Sequence, residues 1–194
     1  MRTAPLRTPD AVAGPNPYGA GAKKKPADPA NQKHVAIRNS VTKLCAELSG
    51  RDNGAIDGPV QESDCNFTDA DNQVWDLEVQ HPHGGPHNNS LFQIRNIKDR
   101  FCMDPPYGGA QPVGALVSEF TCAGTHPDNQ LWWLEKQRDG HYWFHNIASH
   151  DLCLNVDGNS PPGRPVTTKS RLTLQECSNT DDREWDIIKV PKGI

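Results

Sequence analysis

The sequence predicts an all-β domain made of three copies of one unit, and three observations carry that prediction. A closing phrase recurs as Asp-Asn-Gln-Val-Trp-Asp-Leu at 71–77, Asp-Asn-Gln-Leu-Trp-Trp-Leu at 128–134 and Asp-Asp-Arg-Glu-Trp-Asp-Ile at 181–187. An opening phrase precedes each of them: Ile37-Arg38-Asn39, Ile94-Arg95-Asn96 and Phe144-His145-Asn146. Between the two, cysteines keep a common spacing, with Asn-to-Cys steps of 6, 6 and 7 residues and Cys-to-Cys steps of 20, 20 and 24. Self-similarity at a fixed period identifies a repeat architecture and takes precedence over local signals.

Residues 1–33 are rich in Pro, Ala and Gly, carry the run Lys23-Lys24-Lys25 and contain almost no large apolar side chain. Such a stretch has little to bury against the entropy of ordering, and it is expected to be a disordered linker or tail. From His34 to Ile194, short runs alternating at a period of two are separated by Gly, Pro, Asn and Asp clusters, the pattern of strands and turns. Gln73, Trp75, Leu77 and Val79 fall on one face of such a run. In the last copy Leu172 and Leu174 face one way, and Thr173 and Gln175 the other. The copies cover about 34–80, 90–137 and 141–190, each with room for four short strands. One such unit cannot bury a face alone, so the three are expected to pack about a pseudo-threefold axis, with closure removing exposed strand edges. Trp75, Trp132 and Trp185, one per copy, are expected to fill the shared core.

Composition excludes several functions. The formal net charge is −4 and the only basic run lies outside the repeats, so no cationic face awaits a nucleic acid. No window approaches the roughly 18 apolar residues of a membrane-spanning helix, and the start of the chain lacks the apolar segment of a signal peptide. The six cysteines occur two per copy at matching positions, and the pairing that respects the threefold symmetry is Cys45–Cys65, Cys102–Cys122 and Cys153–Cys177. Zinc would need C-x₂-C spacing or a recurring His partner, and neither is present, so no metal is expected. Disulfides imply an oxidising, extracytoplasmic setting, secreted or tethered at a cell surface, in which this chain is one part of a longer polypeptide or complex. His81, His83 and His87 form a His-Pro-His-Gly-Gly-Pro-His segment that is expected to be a solvated connection between copies. No phosphate loop, nucleophile elbow or His-Glu-x-x-His motif occurs, so neither catalysis nor a cofactor is expected.

The Asn-x₅₋₆-Cys opening, the second Cys about 20 residues on and the Gln-x-Trp closing, with Arg for Gln in the third of three tandem copies, resemble the ricin B-type lectin domain. The resemblance covers roughly residues 34–190 and implies a β-trefoil that binds carbohydrate without catalysis. It also implies one sugar pocket per copy. Each pocket would combine an acidic residue two after the first Cys, an aromatic platform two before the second Cys, a polar residue four before it, and the Asn-Gln of the closing phrase. A carboxylate and an amide would fix the sugar hydroxyls while an aromatic face packs on the ring.

Only the second copy keeps the whole set: Asp104, Ser118, Phe120, Asn129 and Gln130, with Tyr107 as a further aromatic wall. The first copy offers a weaker set of Glu47, Gln61, Asn72 and Gln73, with Ser63 in place of the platform. The third has Asn155, Thr173, Gln175 and Asp182-Arg183 at the matching positions. Glu62 and Glu119 stand where the resemblance implies aliphatic core residues. The expected function is therefore a carbohydrate-binding module with one competent site in the second copy, its partners galactose- or xylose-containing glycans. The alternatives are an extracytoplasmic sensor or protein-interaction domain of a membrane-anchored regulatory protein, and the cell-binding subunit of a toxin.

Overall fold

The computed structural model describes residues 27–50, 53–68, 72–125, 128–158, 169–179 and 183–191. The first copy forms β1 (Gln32–Asn39), β2 (Cys45–Leu48), β3 (Val60–Ser63) and β4 (Trp75–His81). The second forms β5 (Leu91–Asn96), β6 (Cys102–Asp104), β7 (Ser118–Phe120) and β8 (Trp132–Lys136). The third forms β9 (Tyr142–Asn146), β10 (Leu152–Val156), β11 (Leu172–Gln175) and β12 (Trp185–Lys189).

The first and last strands of each copy close a six-stranded antiparallel barrel, β1–β4–β5–β8–β9–β12, with β12 returning to β1. Each closing Trp pairs in register with the opening Asn of the next copy: Trp75 with Asn96, Trp132 with Asn146 and Trp185 with Asn39. Asn96 Nδ2 donates to the Asn72 carbonyl at 2.8 Å, and Asn146 Nδ2 to that of Asn129 at 2.6 Å, so the recurring Asn fastens one copy to its predecessor.

The middle strands form three hairpins, β2–β3, β6–β7 and β10–β11, that join edge to edge over one end of the barrel. Val60 N donates to Val117 O at 3.1 Å and Val117 N to Leu172 O at 2.8 Å, and bridges link Pro59 to Ser118, Gln61 to Arg171 and Leu116 to Thr173. Barrel and triangular cap together are a β-trefoil.

Trp75, Trp132 and Trp185 are wholly buried in one core cluster with Ile37, Phe92 and Phe144. Each indole N–H finds the carbonyl one residue past the first Cys of its own copy: Ala46 at 3.1 Å, Met103 at 3.5 Å and Leu154 at 3.0 Å. This satisfies the one polar atom of a large buried ring and ties each barrel strand to its hairpin. The three intra-copy disulfides are present, with Cα–Cα separations of 5.2, 5.1 and 5.1 Å, and no cysteine is free.

One expectation needs amendment. The folded unit begins before residue 34: β1 starts at Gln32, Ala30 is buried in the core, and Ser90 Oγ donates to Asp28 at 2.6 Å. Residues 1–26, the bulk of the expected tail, lie outside the described residues. Thr173, which alternates with Leu172 and Leu174, is itself buried, and its hydroxyl accepts from Asn155 Nδ2 at 2.9 Å.

Glu62 and Glu119 are buried without any slip in register. Glu62 opposes Ala46 and Glu119 opposes Met103, just as Leu174 opposes Leu154 in the third copy. Thr42 Oγ1 donates to Glu62 at 2.6 Å. Glu119 lies under the 53–58 loop of the first copy, where Ala55 N donates to its Oε1 at 2.9 Å. A Cβ at Gly54 would come within 1.6 Å of that oxygen, which explains the glycine.

Burial, followed by the nearby charge of Asp99, pushes the Glu119 carboxyl from its ordinary 4.5 up to about 8. The folded chain thus keeps a proton that the unfolded chain releases near the ordinary value. The stability held by this group is complete at low pH and lost as pH rises through the folded value. Glu119→Gln keeps the acceptor for Ala55 and supplies a permanent N–H toward Asp99. Melting curves between about pH 5 and 8 are expected to fall for the parent and to fall less for this variant, and parallel curves would contradict the assignment. A Cys102→Ala/Cys122→Ala variant, which opens a loop of 20 residues, is expected to lose about 3 kcal/mol, or roughly 6–12 °C of melting temperature by calorimetry.

Candidate functional site

The second-copy residues converge on a cleft of about 430 Å³ at the rim between barrel and cap. Asp104 at the end of β6 forms its floor. Its side chain is 6% exposed, and its Oδ1 has no hydrogen-bond partner. Burial first, then the charges of Asp128 and Asp57, raises its carboxyl from 3.8 to about 7, with a hydrogen bond from Gln130 partly opposing them. A buried carboxylate with an unmatched oxygen is costly to maintain, and Asp104 lines the cleft.

The walls are aromatic and polar. Phe120 ends β7, alternates away from buried Glu119 and is 39% exposed. Tyr107 is 96% exposed, on a loop whose Tyr107, Gly108 and Gly109 have φ of 75°, 65° and 65°. A left-handed backbone is unfavourable for a bulky side chain, and nothing inside the fold recovers that cost. Asn129 and Gln130 also line the cleft. Asn129 Nδ2 donates to the Pro105 carbonyl, holding the closing phrase against the residue after Asp104. Gln130 Nε2 donates to Thr121 O at 2.9 Å and its Oε1 accepts from Ala123 N at 2.8 Å, so this amide grips both sides of Cys122. The Ser118 hydroxyl points inward to the Asp104 carbonyl at 2.8 Å, so Ser118 buttresses the floor and does not line the cleft.

The other two copies differ in their chemistry. In the first, a cleft of about 520 Å³ includes Glu47, Gln61, Ser63 and, from the third copy, Lys169. Glu47 is matched there by two internal donors, Gln73 Nε2 at 2.8 Å and Gln61 Nε2 at 3.4 Å. Gln73 also grips the second cysteine, donating to Asp64 O at 2.7 Å and accepting from Asn66 N at 3.1 Å. Asn72 is buried, with its amide 3.5 Å from Gly50 O. In the third copy, Asn155 donates to Thr173 and to the Val156 carbonyl, both at 2.9 Å, and Arg183 is buried where the other copies have Gln. Asp182 lies outside the described residues.

Two acidic residues of the second-copy cleft escaped sequence reasoning. Asp128 opens the closing phrase, and its Oδ1 also accepts from Gln130 N at 3.0 Å. Asp57 comes from the first copy's 53–58 loop, which a copy-by-copy alignment cannot connect to the second site. The three imidazoles of the intervening segment are separately engaged: His81 with Gly124 O, His83 with Asn88 O, and His87 against Trp133. Among the described residues, the one trio of metal-type ligand atoms in proximity is His145, Cys153 and Cys177, whose sulfurs are joined in a disulfide. No helix among those residues is long and apolar enough to cross a membrane.

Solved structures agree with this architecture. The chain is similar to a designed threefold-symmetric protein, ThreeFoil, at 16% identity and a TM-score of 0.66, covering 81% of this chain and 99% of that one. The C-terminal half of an earthworm R-type lectin, solved in complex with GalNAc, is 12% identical with a TM-score of 0.59, covering 82% and 100%. A mosquitocidal holotoxin is 20% identical with a TM-score of 0.63, and this chain covers 17% of its length. No curated protein sequence matches the chain significantly. The sequence model of the family described as "Ricin-type beta-trefoil lectin domain-like" matches residues 71–169, from the first closing phrase into the third copy. With that match over half its length, and the barrel, cap and cysteine pairs above, the chain belongs to the ricin-type β-trefoil lectin domain-like family.

Proposed function

We propose that this domain is a non-catalytic carbohydrate-binding module whose competent sugar site is the second-copy cleft. The observation that carries the reading is the convergence of buried Asp104, one of whose carboxyl oxygens is unmatched inside the fold, with exposed Phe120 and Tyr107 on one cleft. A sugar hydroxyl supplies the missing donor, Asn129 offers amide chemistry beside it, and the C–H face of the ring covers Phe120. At the matching positions of the other copies, Glu47 is held by Gln73 and Gln61 with Ser63 in place of the platform, and Asn155, whose Oδ1 is also unmatched, has Gln175 in place of the platform. The GalNAc bound to the earthworm lectin half supports a galactose-type ligand.

One shallow site of this kind binds in roughly the millimolar to micromolar range, about 4–8 kcal/mol, so useful avidity comes from display on a larger assembly. Three disulfides suit an extracytoplasmic setting. A second reading, the cell-binding part of a toxin, is favoured by the likeness to one segment of a mosquitocidal holotoxin.

Isothermal titration with galactose or a galactoside is expected to give one site, weakened at least about tenfold by Asp104→Ala or Phe120→Ala and unchanged by Asn155→Ala. Equal binding by parent and Asp104→Ala removes the assignment. Because the ionised carboxylate is the stronger acceptor, affinity for a neutral sugar is expected to rise with pH through the Asp104 value of about 7. That rise is absent in Asp104→Asn.

A further inference from the structure

Three carboxylates line the second-copy cleft: Asp104 on its floor, Asp128 beside Asn129, and Asp57 from the neighbouring copy. Among the described residues no lysine or arginine lines it, whereas the first-copy cleft carries Lys169. Binding a neutral sugar does not require this concentration of negative charge, which works against the ionisation of Asp104. Asp104 lines the cleft while more than nine-tenths buried, and its Oδ1 has no donor within the fold. The occupant that relieves both the repulsion and the missing donor is a cation with N–H groups.

The spread of the carboxylates argues against a metal ion. Among the described residues, oxygens of Asp57, Asp104 and Asp128 do not gather within 4.8 Å as a trio of ligand atoms does around one ion. They are distributed around a cavity of about 430 Å³ that is sized for a sugar ring and bounded by two exposed aromatic side chains. An aromatic wall also favours a cation, through the negative face of its ring.

We infer that the cleft selects an amino sugar bearing a free ammonium group, such as a galactosamine unit of a de-N-acetylated glycan. The ammonium lies in the combined field of Asp57, Asp104 and Asp128 without bridging all three, and the ring covers Phe120. This inference rests on the second-copy site proposed above and adds its ligand class. N-acetylated sugars lack the charge, and uronic or sialic acids are repelled.

The test is titration calorimetry at about pH 6.5 and low salt, with galactosamine, galactose, N-acetylgalactosamine and galacturonic acid on the parent chain and on Asp57→Asn. Asp57 is exposed, and its backbone lies in the left-handed region at φ 60°, which Asn tolerates, so the variant is expected to fold; its melting curve checks this. Galactosamine is expected to bind at least about tenfold more tightly than galactose. That ratio is expected to fall severalfold in Asp57→Asn and to shrink with added salt. Equal binding of galactosamine and galactose overturns the amino-sugar inference and leaves the sugar site intact. A preference undiminished in Asp57→Asn overturns it as well, and failure of all four sugars overturns both. A calcium titration is the remaining arm: calcium binding that Asp57→Asn abolishes, with no galactosamine preference, assigns the carboxylates to a metal and contradicts the inference.

Discussion

The indole N–H of Trp75, Trp132 and Trp185 reaches the same carbonyl in every copy, one residue beyond the first cysteine. The ring fills the barrel, the register opposite it is the next copy's Asn, and the carbonyl it holds belongs to the hairpin that carries the acidic position. One side chain therefore sets three distances at once: strand to strand, copy to copy and barrel to cap. With the disulfide closing the same hairpin region, the residue two past the first cysteine is held at the rim of the fold whatever its identity.

That constancy of backbone is what makes side-chain differences between copies functional. Glu47, Asp104 and Asn155 occupy one position on one scaffold, yet Glu47 accepts from two internal amides, Asn155 is a neutral amide that donates to its own hairpin, and Asp104 is a carboxyl lining a cleft with two exposed aromatic side chains. Glutamine before the Trp works chiefly on the fold in the two copies that have it, clamping the backbone on both sides of the second cysteine. Its contribution to a pocket is to hold the platform strand, so its presence in the first copy does not make that copy a site.

The scaffold was legible in the sequence because it is made of large or covalently committed residues at fixed spacing: three Trp, six Cys and three Asn. The second-copy cleft was legible through Asp104, Phe120, Asn129, Gln130 and Tyr107, which the fold brings to one place. What could not be read is what depends on contacts between copies. Asp57 reaches the second site from the first copy, and Glu119 is buried because the 53–58 loop lies over it, while spacing within a copy carries neither fact. The start of the fold was misplaced for a similar reason: Ala30 is small and inconspicuous in a Pro-rich stretch, and only the closed barrel gives it something to pack against.

The central claim is that one copy of a symmetric scaffold holds the sugar. The most direct measurement is a nitrogen-15 amide NMR titration of the labelled chain with galactose. The account predicts shifts at Asp104, Tyr107, Phe120, Gln130 and the backbone beside them, following one saturating curve. Shifts of similar size around Glu47 and Gln61, or spread over all three copies, would contradict it.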